Sequence, residues 1–286
     1  MKAASVPAPT YAFPQSRAAQ ITFVLLTVYV IYALTQLDVS LERVGQGLEH
    51  AGRFLGKMIP PNFARSELLW NGLAESLQIA VLASALGIVL ALPFGLLGAR
   101  NLMPSWVSWP ARLVIVVARS FHPVVVAILF VKAVGFGALA GILALTVASI
   151  GFIGKLFTEA IEEVSAKQVE AVRATGAPFT SMLAFGVLPQ VFSRFIGFAT
   201  YQLDSNLRNS TMVGIVGAGG IGGTLFAAFQ RFDYDFVSAI LISIIALIMA
   251  GEVLATAVRQ IFIDNATLRQ LFRGGTPAHD RPLDDD

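Results

Sequence analysis

Long apolar stretches separated by shorter polar segments make up most of this chain of 286 residues. An α-helix needs about 20 mostly apolar residues to cross the hydrocarbon core of a membrane. Stretches of this kind cover residues 18–37, 72–98, 113–131, 133–154, 195–216 and 236–258. The pattern predicts an all-α membrane protein, a polytopic bundle of about six transmembrane helices.

The composition supports a membrane protein. Hydrophobic residues make up 56% of the chain and charged residues 13%, with a mean hydropathy of +0.72, whereas a soluble domain is roughly 25% charged. The net charge of only +2 implies no nucleic-acid partner. The absence of cysteine excludes disulfides, iron–sulfur clusters and thiol catalysis.

The first apolar stretch has two interpretations. Arg17 precedes it, as a basic residue precedes the apolar part of a secretory signal peptide. No small-x-small cleavage site follows and the stretch is long for a signal peptide, so a retained membrane anchor is favoured. The predicted organisation is an N-terminal tail (1–17), a first helix with an external segment (18–71), a membrane core (72–259) and a C-terminal tail (260–286).

The distribution of Lys and Arg predicts the orientation in the membrane. With both termini inside, the cytoplasmic segments hold 12 of these residues, the external segments hold five, and three lie within or beside spans. Cytoplasmic loops carry the excess of Lys and Arg. The chain is therefore predicted to have both termini cytoplasmic, and an external amphipathic helix is expected around residues 41–55.

A charged insert at residues 159–189 interrupts the apolar pattern on the predicted cytoplasmic side. Its charged and apolar residues alternate at three- and four-residue spacing, which predicts an amphipathic helix. Glu163 and Lys167 would form an i, i+4 pair on it. Gly176 suits a left-handed helix end, and Pro178 suits the first turn of a second helix. The alternative is a solvated loop that happens to be helical.

The residues of this insert resemble the EAA loop of ABC-importer permeases. The matching residues are Glu170, Ala171, Gly176, Leu188 and Pro189. Val172 and Gly186 stand where that family usually has Ala and Ile. The resemblance implies that the insert forms a coupling helix, which sits in a cleft of a separate ATPase subunit.

Further motifs are similar to those of the phosphonate-importer permeases. They are Val169-Glu-Ala-Val-Arg-Ala-Thr-Gly176, Phe185-Gly-Val-Leu-Pro-Gln190, Val213-Gly-Ile-Val-Gly-Ala-Gly-Gly-Ile-Gly222 and Phe232-Asp-Tyr234. The resemblance covers roughly residues 75–259. It implies alternating-access import of phosphonates or related phosphorus oxyanions by a homodimer of this chain, two ATPase subunits and an external binding protein. ATP and Mg would be bound by the ATPase subunits, and this chain would bind no cofactor.

A glycine-rich segment inside the third motif satisfies the dinucleotide-binding pattern GxGxxG. Its glycines are Gly217, Gly219, Gly220 and Gly222. A dinucleotide site also requires a βαβ unit and an acid about 20 residues further on, and neither is present. We therefore interpret the segment as a close-packed external turn that forms part of a gate. No phosphate-binding loop GxxxxGK[ST] occurs, so another chain must hydrolyse ATP.

Polar side chains within the apolar stretches are candidates for a translocation pathway, because ionisable groups are costly inside a membrane. The candidates are Arg119, His122, Asn206, Arg208, Asn209 and Ser210. Cationic and hydrogen-bond-donating groups suit an anionic substrate. The alternative is internal pairing, for example of Asp204 with Arg208 one helical turn later.

The sequence leaves three other functions to consider. The same architecture could import methionine or another small nutrient. A membrane enzyme would need a catalytic constellation, but the three histidines, His50, His122 and His279, lie in unrelated regions and no metal-ligand spacing occurs. A stand-alone channel would leave the cytoplasmic insert without a role. A transport subunit with no metal site and no enzymatic activity of its own is therefore the prediction.

Overall fold

The computed structural model describes residues 17–36 and 40–273. The predicted N-terminal tail and the end of the C-terminal tail lie outside these ranges. The described residues form α1 (Arg17–Gln36), α2 (Leu41–Lys57), α3 (Ser66–Gly98), α4 (Ser105–Ser120), α5 (Pro123–Val134), α6 (Ala138–Glu162), α7 (Ala166–Ala174), α8 (Phe179–Ser181), a π-helical segment (Met182–Val187), α9 (Leu188–Ile215), α10 (Ile221–Gln230) and α11 (Tyr234–Arg273). All regular structure in these ranges is helical.

Five of the described helices are long and apolar enough to cross a membrane. They are α1, α3, α6, the continuous helical stretch Phe179–Ile215 and the part of α11 up to Ala257. The predicted span at residues 113–131 is instead two helices, α4 and α5, bent by 92°. The bend lies at Pro123, and a proline disfavours the helical conformation in the residue before it. His122 is accordingly extended, with φ −66° and ψ 140°.

The chain divides into two compact units, and the first of them contains α1 and α2. Helix α1 is apolar around its whole circumference, as a membrane anchor requires. Helix α2 is strongly amphipathic, with the apolar Val44, Leu48 and Leu55 recurring at helical spacing. The prediction of an amphipathic helix around residues 41–55 is confirmed.

The second unit is built around a close pair of helices, α3 and α6. Small residues let membrane helices approach each other because no bulky side chain separates their backbones. A Cβ atom at Gly95 of α3 would lie only 2.7 Å from the ring of Phe157 on α6. Helices α4, α5, α9, α10 and α11 pack against this pair, whereas α7 and α8 pack against the π-helical segment.

Two buried apolar clusters in the second unit mark the two ends of α9. One contains Phe157, Ile161, Val187 and Val191, and it includes residues of the charged insert itself. The other contains Val213 and Ala218 among residues of α3, α5 and α6. Helix α9 therefore runs from the insert to the glycine-rich turn.

Candidate coupling surface and translocation pathway

The charged insert begins with the end of α6. The prediction of one amphipathic helix starting at Glu159 is wrong, because α6 continues to Glu162 and a separate helix, α7, starts at Ala166. The predicted i, i+4 pair of Glu163 with Lys167 is also wrong. The chain turns between these residues, and Glu163 instead pairs with Arg194 at 2.5 Å.

Helix α7 presents one side to solvent and the other to the protein. Glu170 and Ala171 are exposed, whereas Val169 and Val172 are half-buried. Val169 packs against the apolar cluster that contains Val187. Gly176 follows the helix with φ +77°, a left-handed conformation that glycine adopts without strain. The predicted sharp glycine turn after a helix is present, and one side of α7 is exposed.

The helix after the turn differs from the predicted short second helix. Helix α8 leads through the π-helical segment directly into α9, so that the described chain is continuously helical from Phe179 to Ile215. Leu188 and Pro189 are the first residues of α9, and both are exposed. A Cβ atom at Gly186 would lie 3.5 Å from the Cα of Val169. The π-helical segment therefore packs against α7 at ordinary van der Waals distance, with room for a methyl group at this position.

Gln190 connects the start of α7 to α9. Its side-chain oxygen accepts a hydrogen bond from the Ser165 amide at 3.0 Å. Its side-chain nitrogen donates to the carbonyl of Gly186 in the π-helical segment at 2.6 Å. Gln190 belongs to one of the sequence motifs, but the motif alone predicts no role for it. The available signal was a long amide side chain directly after the Leu-Pro pair.

The glycine-rich segment forms a tight turn between α9 and α10. Gly217, Gly219 and Gly220 all have positive φ angles, of +88°, +82° and +78°. The amide of Ile221 donates to Ser76 Oγ at 2.9 Å, which ties the turn to α3. The element before the glycines is a helix rather than the strand that a dinucleotide site requires. The observed conformation is that of the predicted close-packed turn.

Four polar side chains join three helices inside the second unit. Asn206 of α9 donates to Ser84 Oγ of α3 and to Ser149 Oγ of α6, both at 2.9 Å. Gln202 donates to Ser149 Oγ at 2.9 Å and to the side-chain oxygen of Asn206 at 3.0 Å. Both amide side chains are buried. Such a network is costly to disturb, because an amide left without a partner in a buried site is destabilising.

This network changes the interpretation of two predicted pathway residues. Asn206 and Ser210 are fully buried, and Ser210 donates its hydroxyl to the carbonyl of Leu207. The helical periodicity of α9 turns both residues toward α3 and α6. Within the described second unit they serve helix packing and do not face an open cavity. Asn209 is half-buried and makes only a long contact, 3.4 Å, with Ser205.

Replacing Asn206 with alanine is expected to destabilise the folded chain by about 1–3 kcal/mol, because buried polar groups on α3, α6 and α9 lose their partner. The measurement is thermal unfolding of the purified chain in detergent, followed by gel filtration. Asn209→Ala is the matched control on the same helix. Equal melting temperatures for the two variants would contradict the proposed role of the network.

Asp204 and Arg208 form the ion pair that the sequence offered as an alternative to a pathway role. They line a cleft of about 270 Å³ between α9 and α11, together with Thr200, Glu252 and Thr256. The Oδ1 atom of Asp204 is buried and has no hydrogen-bond partner among the described residues. Arg208 is half exposed, so it can also contact groups outside this chain.

The other two pathway candidates lie at the bend between α4 and α5. Nδ1 of His122 accepts a hydrogen bond from the Val124 amide at 3.3 Å, so His122 caps the start of α5. Arg119 lies in the last turn of α4 and is exposed in a cavity beside α6. The bend thus separates the two residues that the sequence placed in one continuous helix.

Residues 91–264 match the model of the family described as "Binding-protein-dependent transport system inner membrane component". The chain is 41% identical to the phosphate-import permease protein PhnE of Mycolicibacterium smegmatis over 71% of this chain. It spans only 38% of the length of that relative. It is 38% identical to the phosphite transport system permease protein PtxC of Stutzerimonas stutzeri, over 76% of this chain and 79% of that protein.

Solved structures share the fold. The MetNI methionine ABC transporter in an inward-facing conformation matches with a TM-score of 0.60 at 24% identity, covering 69% of this chain and 99% of that chain. An amino acid ABC transporter crystallised with histidines matches with a TM-score of 0.57 at 21% identity, covering 70% of this chain and 94% of that chain. With more than half of its length matched by the family model, the chain belongs to the family of inner membrane components of binding-protein-dependent transport systems.

Proposed function

We propose that this permease subunit imports phosphonates or related phosphorus oxyanions, and that ATP hydrolysis by partner subunits drives the import. The observation that carries the proposal is the combination of the exposed α7 surface with relatives whose names specify phosphate and phosphite transport. The exposed surface supports a contact with an ATPase, and the names of the relatives support the substrate class.

The proposed assembly contains a second copy of this chain, two ABC ATPase subunits and an external substrate-binding protein. ATP and Mg are bound by the ATPase subunits, and this chain binds no cofactor. Membership of a binding-protein-dependent family supports the binding protein and the ATPase as partners. The exposed Glu170 and Ala171, the Gly176 turn and the Leu188-Pro189 start of α9 form the proposed coupling surface.

Helix α9 supplies the mechanical connection in this proposal. Its 28 residues extend about 42 Å at 1.5 Å per residue. Gln190 joins its first turn to the start of α7, and the glycine-rich turn follows its last residue. A displacement of α7 by an ATPase would therefore be transmitted along α9 to the proposed gate formed by Gly217, Gly219, Gly220 and Gly222. Arg119, His122 and Arg208 remain the proposed pathway residues.

The test is reconstitution with the cognate ATPase and binding protein, followed by a comparison of ATPase stimulation by an alkylphosphonate, phosphite, phosphate and methionine. Stimulation by one or more of the phosphorus oxyanions but not by methionine is expected. Stimulation by methionine alone would favour the alternative substrate. That alternative has a specific basis, since the chain is 26% identical to a probable D-methionine permease of Vibrio cholerae over 64% of its length.

We further propose that both termini and α7 lie on the cytoplasmic side, as the Lys and Arg distribution predicts. The natural chain has no cysteine, so a single introduced cysteine is a unique reporter. A membrane-impermeant maleimide is expected to label Arg231→Cys in intact spheroplasts and Arg173→Cys only after permeabilisation. Both positions are exposed. Labelling of Arg173→Cys in intact cells would contradict this orientation.

A further inference from the structure

A cavity of about 540 Å³ between α4 and the second half of α6 holds four basic side chains. Its lining includes Arg100, Arg112, Arg119 and Lys155, with a single acidic residue, Glu159. The apolar part of the lining comes from Trp109 and neighbouring residues of α4. In the proposed orientation the cavity belongs to the cytoplasmic half of the membrane.

Ion pairs within the chain neutralise only two of the four basic side chains. Arg112 pairs with Glu162 at 2.5 Å, and its Nε donates to the carbonyl of Gly98 at 2.8 Å. Lys155 pairs with Glu159 at 3.4 Å. Among the described residues, the guanidinium groups of Arg100 and Arg119 have no acidic partner within ion-pair distance. Neither guanidinium group is taken up in an ion pair among these residues, although Glu162 lies close to Arg100 and accepts a hydrogen bond from its backbone amide at 2.8 Å.

The packing of α4 on α6 fixes the position of Arg119. A Cβ atom at Gly151 of α6 would lie 2.6 Å from Cγ of Arg119 and 2.9 Å from its backbone nitrogen. One turn further along α6, a Cβ atom at Gly154 would lie 3.1 Å from Ile115 of α4. The backbone contact at Gly151 leaves no room for a Cβ atom, so this glycine lets the stem of Arg119 pack against α6, where Arg119 lines the cavity.

From this arrangement we infer an oxyanion-binding site in which Arg100 and Arg119 hold a phosphorus oxyanion between α4 and α6. Arginine favours this ligand because its fork of N–H groups matches the oxygens of phosphate and phosphonate. Glu162 and Glu159 offset the charges of Arg112 and Lys155, so the net positive charge of the cavity comes from Arg100 and Arg119. The inference deepens the proposed function, on which it rests, by naming residues that would hold the anion on the cytoplasmic half of its route.

Two sources could supply this chemistry. One is the free transported anion, and the other is the headgroup of an anionic phospholipid. The apolar lining and the exposed Trp109 suit the second source, because basic pockets between membrane helices on the cytoplasmic side bind anionic headgroups. The same two arginines would hold either ligand, so the test must separate the sources.

The test measures binding to the full chain, purified with its ATPase partners. Methylphosphonate binding is measured by calorimetry in lipid-free detergent, and retained phosphatidylglycerol is measured by native mass spectrometry after extraction from mixed vesicles. The double variant Arg100→Gln and Arg119→Gln is expected to bind at least about tenfold more weakly, because charge-assisted hydrogen bonds are lost. Arg231→Gln, an exposed arginine outside the cavity, is the control and should bind like the wild type.

Loss of methylphosphonate binding in the double variant supports the site with the free anion as ligand. Loss of retained phosphatidylglycerol supports it with a lipid headgroup as ligand. Equal binding of both probes by the double variant and the control, or no binding of either probe by the wild type, would overturn the inference.

Uptake is measured separately. Binding of methylphosphonate without phosphonate uptake would refute the proposed function alone. Phosphonate uptake by a chain that binds neither probe through Arg100 and Arg119 would refute this inference alone.

Discussion

Reversing the charge at Glu170, with Glu170→Lys, is expected to reduce ATP-driven uptake by at least about 30-fold, since a misplaced charge at a protein interface costs several kcal/mol. Glu170 is exposed on α7 and makes no ion pair among the described residues. The fold should therefore be unchanged. The measurement is uptake in proteoliposomes, together with co-purification of the ATPase.

The matched control is Glu49→Lys, the same charge reversal on the amphipathic helix α2. Glu49 is also exposed and forms only a surface pair with Arg53, which is worth little. It lies in the segment predicted to be external, where no ATPase binds. Wild-type uptake and ATPase retention by the Glu170→Lys protein would show that α7 is not the coupling surface.

Replacing Gly222 with alanine is expected to destabilise the protein strongly, whereas alanine at the adjacent Gly223 is tolerated. A Cβ atom at Gly222 would lie 2.9 Å from the carbonyl carbon of Thr211 and 3.0 Å from Cα of Gly214. Helix α10 would have to move away from α9, at a cost of about 1–3 kcal/mol. A Cβ atom at Gly223 would meet only the Gly214 oxygen, at an ordinary 3.6 Å.

The two variants form a sensitive pair because they differ only in which side of α10 carries the added methyl group. Thermal unfolding in detergent should show a decrease on the order of 5 °C for Gly222→Ala. Gly223→Ala should leave the melting temperature unchanged or raise it slightly, because alanine favours a helix by about 1 kcal/mol over glycine. A larger decrease for Gly223→Ala than for Gly222→Ala would contradict the observed packing.

The sequence predicted the long unbroken membrane helices well, including α3, which continues through Pro93. It did not predict the break between α4 and α5, because the apolar run continues through His122 and Pro123. Hydropathy averages over a window of residues, whereas one proline changes the direction of the backbone at a single position. The pair His122-Pro123 was the available signal, although Pro93 within α3 shows that a proline alone does not specify a break.

The charged insert at residues 159–189 was also only partly predictable from the sequence. The turn at Gly176 was predictable, because glycine has a particular advantage in a left-handed conformation. The end of α6 at Glu162 was not, since the charged and apolar spacing continues across the turn into α7. The hydrogen bonds of Gln190 and the pairing of Glu163 with Arg194 depend on tertiary contacts. Helical spacing alone does not reveal them.

The polar residues of α9 differ in burial, and only the packing of the helices shows which of them are buried. Asn206 and Arg208 are two positions apart in sequence, so they point to different sides of the helix. The contacts of α9 with α3 and α6 bury Asn206, whereas Arg208 stays half exposed beside α11. The sequence identified both residues as unusual for a membrane helix. It could not show which of the two sides is covered.

The central claim is that this chain carries phosphorus oxyanions across a membrane when partner ATPases hydrolyse ATP. The most direct measurement is accumulation of labelled methylphosphonate in proteoliposomes that contain the chain, its ATPase and the binding protein. Accumulation against a gradient is expected with ATP and Mg, and none is expected with a non-hydrolysable analogue. Accumulation of methionine but of no phosphorus oxyanion, or equal accumulation without hydrolysis, would contradict the account.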